Sequence, residues 1–210
     1  MRRSVALPIG IALAILIVIL VASQLAVPPI ASSRIEHRLT KNGGTAHVSL
    51  HAFPALRLLF HQGDEIDISG RDLRVELGTG KQKVFQNLDG FGAAHVHLTN
   101  VTAGPFVSRS FSLDRDHGSD TYALSLQASF TPSALASYLG SSVGGGLGGL
   151  LGGLAGGLAP GGTQPVPVDV QAQVQSDGGN PRVVSGAGSV AGVPLGPLVE
   201  AVAAAVIARI

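Results

Sequence analysis

The chain has 210 residues, a formal net charge of +1, 29 glycines, 4% aromatic and 13% charged residues, and no cysteine or tryptophan. Without cysteine there are no disulfides, thiolate metal sites, cysteine nucleophiles or lipidated N-terminal cysteine, and the near-zero charge supplies no basic field for nucleic acid. The length suits one domain plus an anchor.

Arg2 and Arg3 precede an uncharged run that reaches Ser33, and its most apolar part is Val5 to Ala22. As a helix that part is about 27 Å long, close to the hydrocarbon core of a bilayer. Arginines before the span put the N-terminus in the cytoplasm and the rest of the chain outside, as a single-pass protein. The alternative is a signal peptide cleaved near Val21-Ala22-Ser23, releasing the protein to the periplasm or cell envelope. Residues 1–26 are therefore read as anchor or signal, and 27–210 as one extracytoplasmic domain.

Paired prolines at 28 and 29 end the span. Ala31, Ile35 and Leu39 recur at helical spacing and predict a short amphipathic helix. Ala46, Val48 and Leu50 then alternate with His47, Ser49 and His51, a first strand. In the stretch from Phe53 to Leu77, Leu56, Leu59 and Phe60 make an apolar cluster at helical spacing, and Gln62-Gly63-Asp64 reads as a turn. Ile66 and Ile68 alternate in a strand, Gly70-Arg71-Asp72 turns the chain again, and Leu73, Val75 and Leu77 alternate in a second strand, a hairpin-like pair.

After a polar loop at 78–83, Val84, Phe85 and Leu88 suit one helical turn. Ala94, Val96 and Leu98 oppose His95, His97 and Thr99 in a strand; Phe106 to Leu113 is another, its inward face ambiguous. Asp114 to Asp120 reads as a polar turn. Tyr122, Leu124, Leu126, Ala128 and Phe130 give the cleanest alternation in the chain. Thr131-Pro132 is an N-cap with proline at the first helical position, opening a helix that Gly140 stops. Residues 140–163 form a Gly/Leu-rich insertion without charge, in which each glycine costs about 1 kcal/mol relative to alanine in a helix. Val168 to Gln175 and Val183 to Val193 are strands, and Leu198 to Ile210 is an apolar helix. The expected class is α+β: an antiparallel sheet of six to eight strands with a few short helices.

Catalytic patterns are weak. Gly140-Ser141-Ser142-Val143-Gly144 matches the serine-hydrolase elbow, but that elbow needs a strand before it. His95 and His97 share a strand face, as do His47 and His51. Four histidines would suit zinc if those two strands paired; a solvated face is the simpler account, and no metal or other cofactor is assigned. Asp114, Asp116 and Asp120 lack the closing glutamate of a calcium loop. Asp64, Glu65 and Asp67 read as a wet strand edge.

The order of an exported N-terminus, PPIASSRIEHRL, FPALRLLFHQGDEIDI, RDLRVEL and TYALSLQASFTPSALASYL resembles the LmeA-type phospholipid-binding family of actinobacteria, formerly a domain of unknown function. Its best-matched piece holds Phe53, Pro54, Leu56, Leu59, Gly63, Ile66 and Ile68. The resemblance spans about 27–210 without the insertion. It implies a non-enzymatic protein of the cell envelope that binds phospholipid, phosphatidylinositol-type lipids among them, and supports lipid or lipoglycan metabolism. It also implies a tubular-lipid-binding-like fold, a curved sheet wrapped around short helices with an apolar groove. Leu56, Leu59, Phe60, Val96, Leu98, Leu124 and Leu126 are the expected groove lining, and Arg57, Arg71 and Arg74 the head-group candidates. Two other classes are open: a membrane-tethered structural or interaction module without lipid, and an envelope hydrolase or transferase.

Overall fold

A computed structural model describes residues 28–75, 84–141, 163–177 and 179–196. The apolar run before residue 28, Glu76 and Leu77 at the end of the predicted second strand, the predicted polar loop at 78–83, nearly all of the Gly/Leu-rich insertion and the predicted C-terminal helix lie outside them. Among the described residues no helix is long and apolar enough to cross a membrane.

Helix α1 covers 28–39. Strand β1 is Thr45–His51, followed by a 3-10 helix at Ala55–Phe60, β2 at Gly63–Arg71, β3 at Arg74–Val75 and α2 at Val84–Leu88. Then come β4 (Phe91–Ala103), β5 (Phe106–Arg115), β6 (Thr121–Phe130), α3 (Pro132–Ser141), β7 (Val166–Asp177), β8 (Asn180–Val190) and β9 (Val193–Pro194). The strands form one nine-stranded sheet in the order β1-β2-β4-β5-β6-β7-β8-β9, with β3 beside β4. The class is α+β, and the sheet is open and mixed.

The mixed character corrects the expected antiparallel sheet. β2 pairs β4 in parallel, Gly63 opposite Phe91 and Arg71 opposite Thr99. β3 pairs the same strand in the same direction, Arg74 opposite Thr102. Gly70-Arg71-Asp72 therefore does not reverse the chain, and β2 and β3 do not form a hairpin. β2 and β3 are one line of backbone broken at Asp72, which sits at φ 57°. The break aims Leu73 inward until it is fully buried. A methyl group on Gly70 would come within 2.7 Å of Leu73 Cδ1, so glycine makes the room Leu73 occupies. Two parallel neighbours need a crossover of a dozen or more residues, and α2 lies in the connection between β3 and β4. The predicted turn at Gln62-Gly63-Asp64 also shifts: Gly63 already opens β2, and His61, at φ 57°, makes the corner.

The period-2 alternation sorts side chains into an apolar and a polar face. On the apolar face one cross-strand row runs Val48, Ile68, Val96, Leu113, Leu124, Ala172. The next runs Leu98, Phe111, Leu126, Val170. Ala31, Ile35 and Leu39 of α1, Leu58 of the 3-10 helix, Phe85 and Leu88 of α2, Leu135 of α3 and Leu195 pack with these rows in one core. Thr131 caps α3 as expected, its Oγ1 accepting from the Ala134 N–H at 3.3 Å. The ambiguity of β5 has a cause: the β5–β6 register shifts between Ser108 and Ser110, so a strict alternation cannot be read through Arg109. Glu36 of α1 accepts the Val48 N–H at 2.8 Å, which covers part of the sheet's β1 edge.

Candidate functional site: an apolar tip and a histidine-aspartate face

The seven expected groove residues divide into two groups. Val96 and Leu124 are buried, and Leu98 and Leu126 pack partly buried beside them, four neighbours on the apolar face of β4 and β6 joined through Phe111 and Leu113 of β5. Leu56, Leu59 and Phe60 are elsewhere. They stand on the 3-10 helix and are 38%, 64% and 76% exposed. A 3-10 helix repeats every three residues, so Ala55 and Leu58 share the inward face while Leu56 and Leu59 share another. The α-helical period points to Leu56, Leu59 and Phe60, whereas the three-residue period of this helix turns Leu58 inward. With Phe53, 74% exposed, the segment 53–60 presents four large apolar side chains to solvent.

The head-group candidates also separate. Arg57 lies in this tip, where its Nη1 donates to Asp64 Oδ1 at 2.9 Å and to the Phe53 carbonyl at 3.4 Å. Asp64 Oδ2 accepts the Phe53 N–H at 2.7 Å. One carboxylate thus holds both the start and the middle of the segment against β2. Arg71 and Arg74 are exposed at the other end of the β2–β3 line, Arg71 about 26 Å along the strand from Gly63 and Arg74 beyond it.

On the polar face, His95 on β4 stands opposite Asp114 on β5 and opposite Asp67 on β2. His95 Nδ1 is 3.2 Å and His97 Nε2 is 3.1 Å from the same Asp114 Oδ1. Asp114 therefore belongs to a strand rather than to the predicted polar turn. His51, Glu65 and Asp67 form a second trio on β1 and β2. The four-histidine arrangement does not form, because β2 separates β1 from β4. His47 instead faces Glu36, with Nδ1 3.5 Å from Oε1.

A third cluster was not read from the sequence. Asp89, just after α2, accepts from Tyr122 Oη at 2.8 Å, Ser176 Oγ at 2.6 Å and the Gly179 N–H at 2.9 Å. The buried Arg115 reaches the same carboxylate at 3.4 Å and donates to the Leu88 and Phe91 carbonyls. Its guanidinium lies 4.6 Å from the Tyr122 ring centroid, and Phe85 meets that ring edge-on. Burial, and then the hydrogen bond to Asp89, push the Tyr122 phenol well above its ordinary value. These partners lie 26 to 87 residues from Asp89 for the side-chain pairs, so no local pattern marks them. Nearby, Asp120, Gln175, Ser176, Asn180, Pro181 and Arg182 line a depression of about 590 Å³. Its lining is polar, unlike an acyl-chain site.

Compared with family models, curated proteins and solved structures, the chain matches none.

Proposed function

We propose that the protein is a non-enzymatic phospholipid-binding protein of the cell envelope, held at or released from the outer side of a membrane. The observation that carries this reading is the 53–60 tip. Soluble domains scatter single apolar side chains over their surface. Here Phe53, Leu56, Leu59 and Phe60 are concentrated within eight residues. Moving such a side chain fully from water into hydrocarbon is worth about 1.5–3 kcal/mol. A cluster on one short helix and the turn that leads into it is therefore a strong contact for acyl chains. The resemblance to the LmeA-type family supports the same reading, including a curved, tubular-lipid-binding-like sheet and a phosphatidylinositol-type ligand.

In this reading Arg57 is the head-group residue, because it alone of the three candidates stands beside the tip. A lipid phosphate would take over part of its bond to Asp64, an exchange between two oxyanions that a planar guanidinium serves well. Val96, Leu98, Leu124 and Leu126 form the apolar floor beneath the helices, the part of the fold where acyl chains would continue inward.

The test is photo-crosslinking of the full chain in phospholipid vesicles whose lipids carry a photoactivatable acyl chain. Peptides spanning 53–60 should carry lipid adducts, and Leu59→Asp with Phe60→Asp should remove them while leaving adducts in the N-terminal apolar run. Adducts confined to the N-terminal run in the parent protein would overturn the reading.

A further inference from the structure

We infer that His95, His97 and Asp114 form a binding site for one divalent transition-metal ion, independent of the lipid reading. The two histidines are two residues apart on β4, so both project from the same face. Asp114 is the register partner of His95 on β5. The fold thus brings together two imidazoles from one strand and a carboxylate from the next, with no loop rearrangement needed to assemble them.

The distances suit a metal. A tetrahedral ion such as Zn²⁺ holds nitrogen and oxygen ligands at about 2.0–2.2 Å, which sets its ligand atoms about 3.3 Å from one another. Asp114 Oδ1 lies 3.2 Å from His95 Nδ1 and 3.1 Å from His97 Nε2. The ligand atoms of the three residues lie within 4.8 Å of one another, and the edge between the two imidazoles is the one that rotation of the more exposed His97 would adjust. His95 and Asp114 are 25% and 33% exposed and anchored on central strands, while His97 is 59% exposed and free to adjust. Three protein ligands leave one position open to water, on the solvent side of the sheet. Two imidazoles and one carboxylate favour Zn²⁺ and its neighbours over Ca²⁺ or Mg²⁺, which take oxygen ligands.

The second trio, His51, Glu65 and Asp67, supplies only one nitrogen. It is the control, because the same experiment asks which trio holds the ion. The full chain, purified in detergent and stripped with chelator, is titrated with Zn²⁺ against a chromogenic competitor and with Co²⁺ while recording its visible spectrum. One ion should bind per chain, with Co²⁺ giving a four-coordinate spectrum. His97→Gln and Asp114→Asn should each weaken Zn²⁺ binding by more than the roughly 10- to 100-fold that follows loss of an outer-shell partner. His51→Ala should leave binding unchanged. His97→Gln changes an exposed side chain and Asp114→Asn keeps its shape, so both variants should retain the parent's thermal unfolding curve. Binding that survives both substitutions, or that is lost with His51→Ala instead, would overturn the assignment, as would a parent chain that holds no stoichiometric ion.

Discussion

Asp64 accepts a hydrogen bond from the Arg57 guanidinium at 2.9 Å, and through this contact β2 holds the most apolar exposed segment of the described chain. The second Asp64 oxygen takes the Phe53 N–H, so the carboxylate spans the segment's entry and its middle. The two side chains are about half exposed, and an exposed ion pair is worth only about 0–1 kcal/mol. Asp64→Ala should therefore lower global stability by about 1 kcal/mol while loosening the tip locally. Tryptic cleavage after Arg57 under native conditions is the measurement. It should become markedly faster in the variant, and an unchanged cleavage rate would show that Asp64 does not pin the segment.

Adjacent leucines in the 3-10 helix should behave oppositely. Leu58 is 8% exposed and packs in the core; Leu59 is 64% exposed. Leu58→Ala should cost about 2–5 kcal/mol in chemical denaturation, whereas Leu59→Ala should stay within about 0.5 kcal/mol of the parent. Equal effects would mean that the three-residue period of this segment is wrong.

Gly90 is closed to any side chain, because a Cβ there would lie 1.9 Å from the His61 carbonyl oxygen. The Gly90 carbonyl also accepts the Gly63 N–H at 3.1 Å, tying the end of the crossover to the start of β2. Gly90→Ala should destabilise by about 1–3 kcal/mol, the usual cost of overpacking. A variant with the parent's unfolding midpoint would contradict the parallel placement of β2 beside β4.

Asp89 is the counter-charge of a buried arginine. Asp89→Ala should cost about 3–5 kcal/mol, because it leaves the Arg115 guanidinium in the interior without its counter-charge. Adding Arg115→Met should recover part of that loss, so the double variant should be less unstable than the two single losses combined. Additive losses in denaturant titrations would show that the two residues do not interact.

Tyr122 supplies a pH test. Its phenol is raised above the ordinary value of about 10 by burial and by Asp89. Above pH 10 the unfolded chain loses this proton while the folded chain keeps it. The unfolded state then binds fewer protons, and stability falls as pH rises beyond about 10; below that, this group contributes no slope. The chain has two tyrosines. In a Tyr138→Phe background, tyrosinate absorbance should appear only together with alkaline unfolding. Ionisation at pH 10 in the folded protein would refute the buried Asp89–Tyr122 bond.

Much of the architecture is legible in the amino-acid sequence. Strands β1, β6 and β7, helix α1 and the Thr131 cap follow from periodicity and capping chemistry, which act over a few residues and are written locally. Partner choice is not written that way. Gly70-Arg71-Asp72 carries the residues of a reversing turn, yet the chain continues, because Asp72 in the left-handed region lets Leu73 reach the core without leaving the β4 edge. The same limit hid the sites. His95 and His97 stand out as a pair, but so do His47 and His51, since alternation marks a face without saying which strand lies alongside.

The amino-acid sequence by itself determined the α+β class, the one-sided strands and the presence of an apolar segment at 53–60, because each depends on residue type and short-range spacing. Only the tertiary structure decided that β2 runs parallel to β4, that Leu59 faces water while Leu58 faces the core, and that Asp114 rather than a second histidine pair meets His95. Those outcomes depend on which apolar surfaces fit when distant segments are packed together, and the burial of the whole core selects among locally equivalent alternatives.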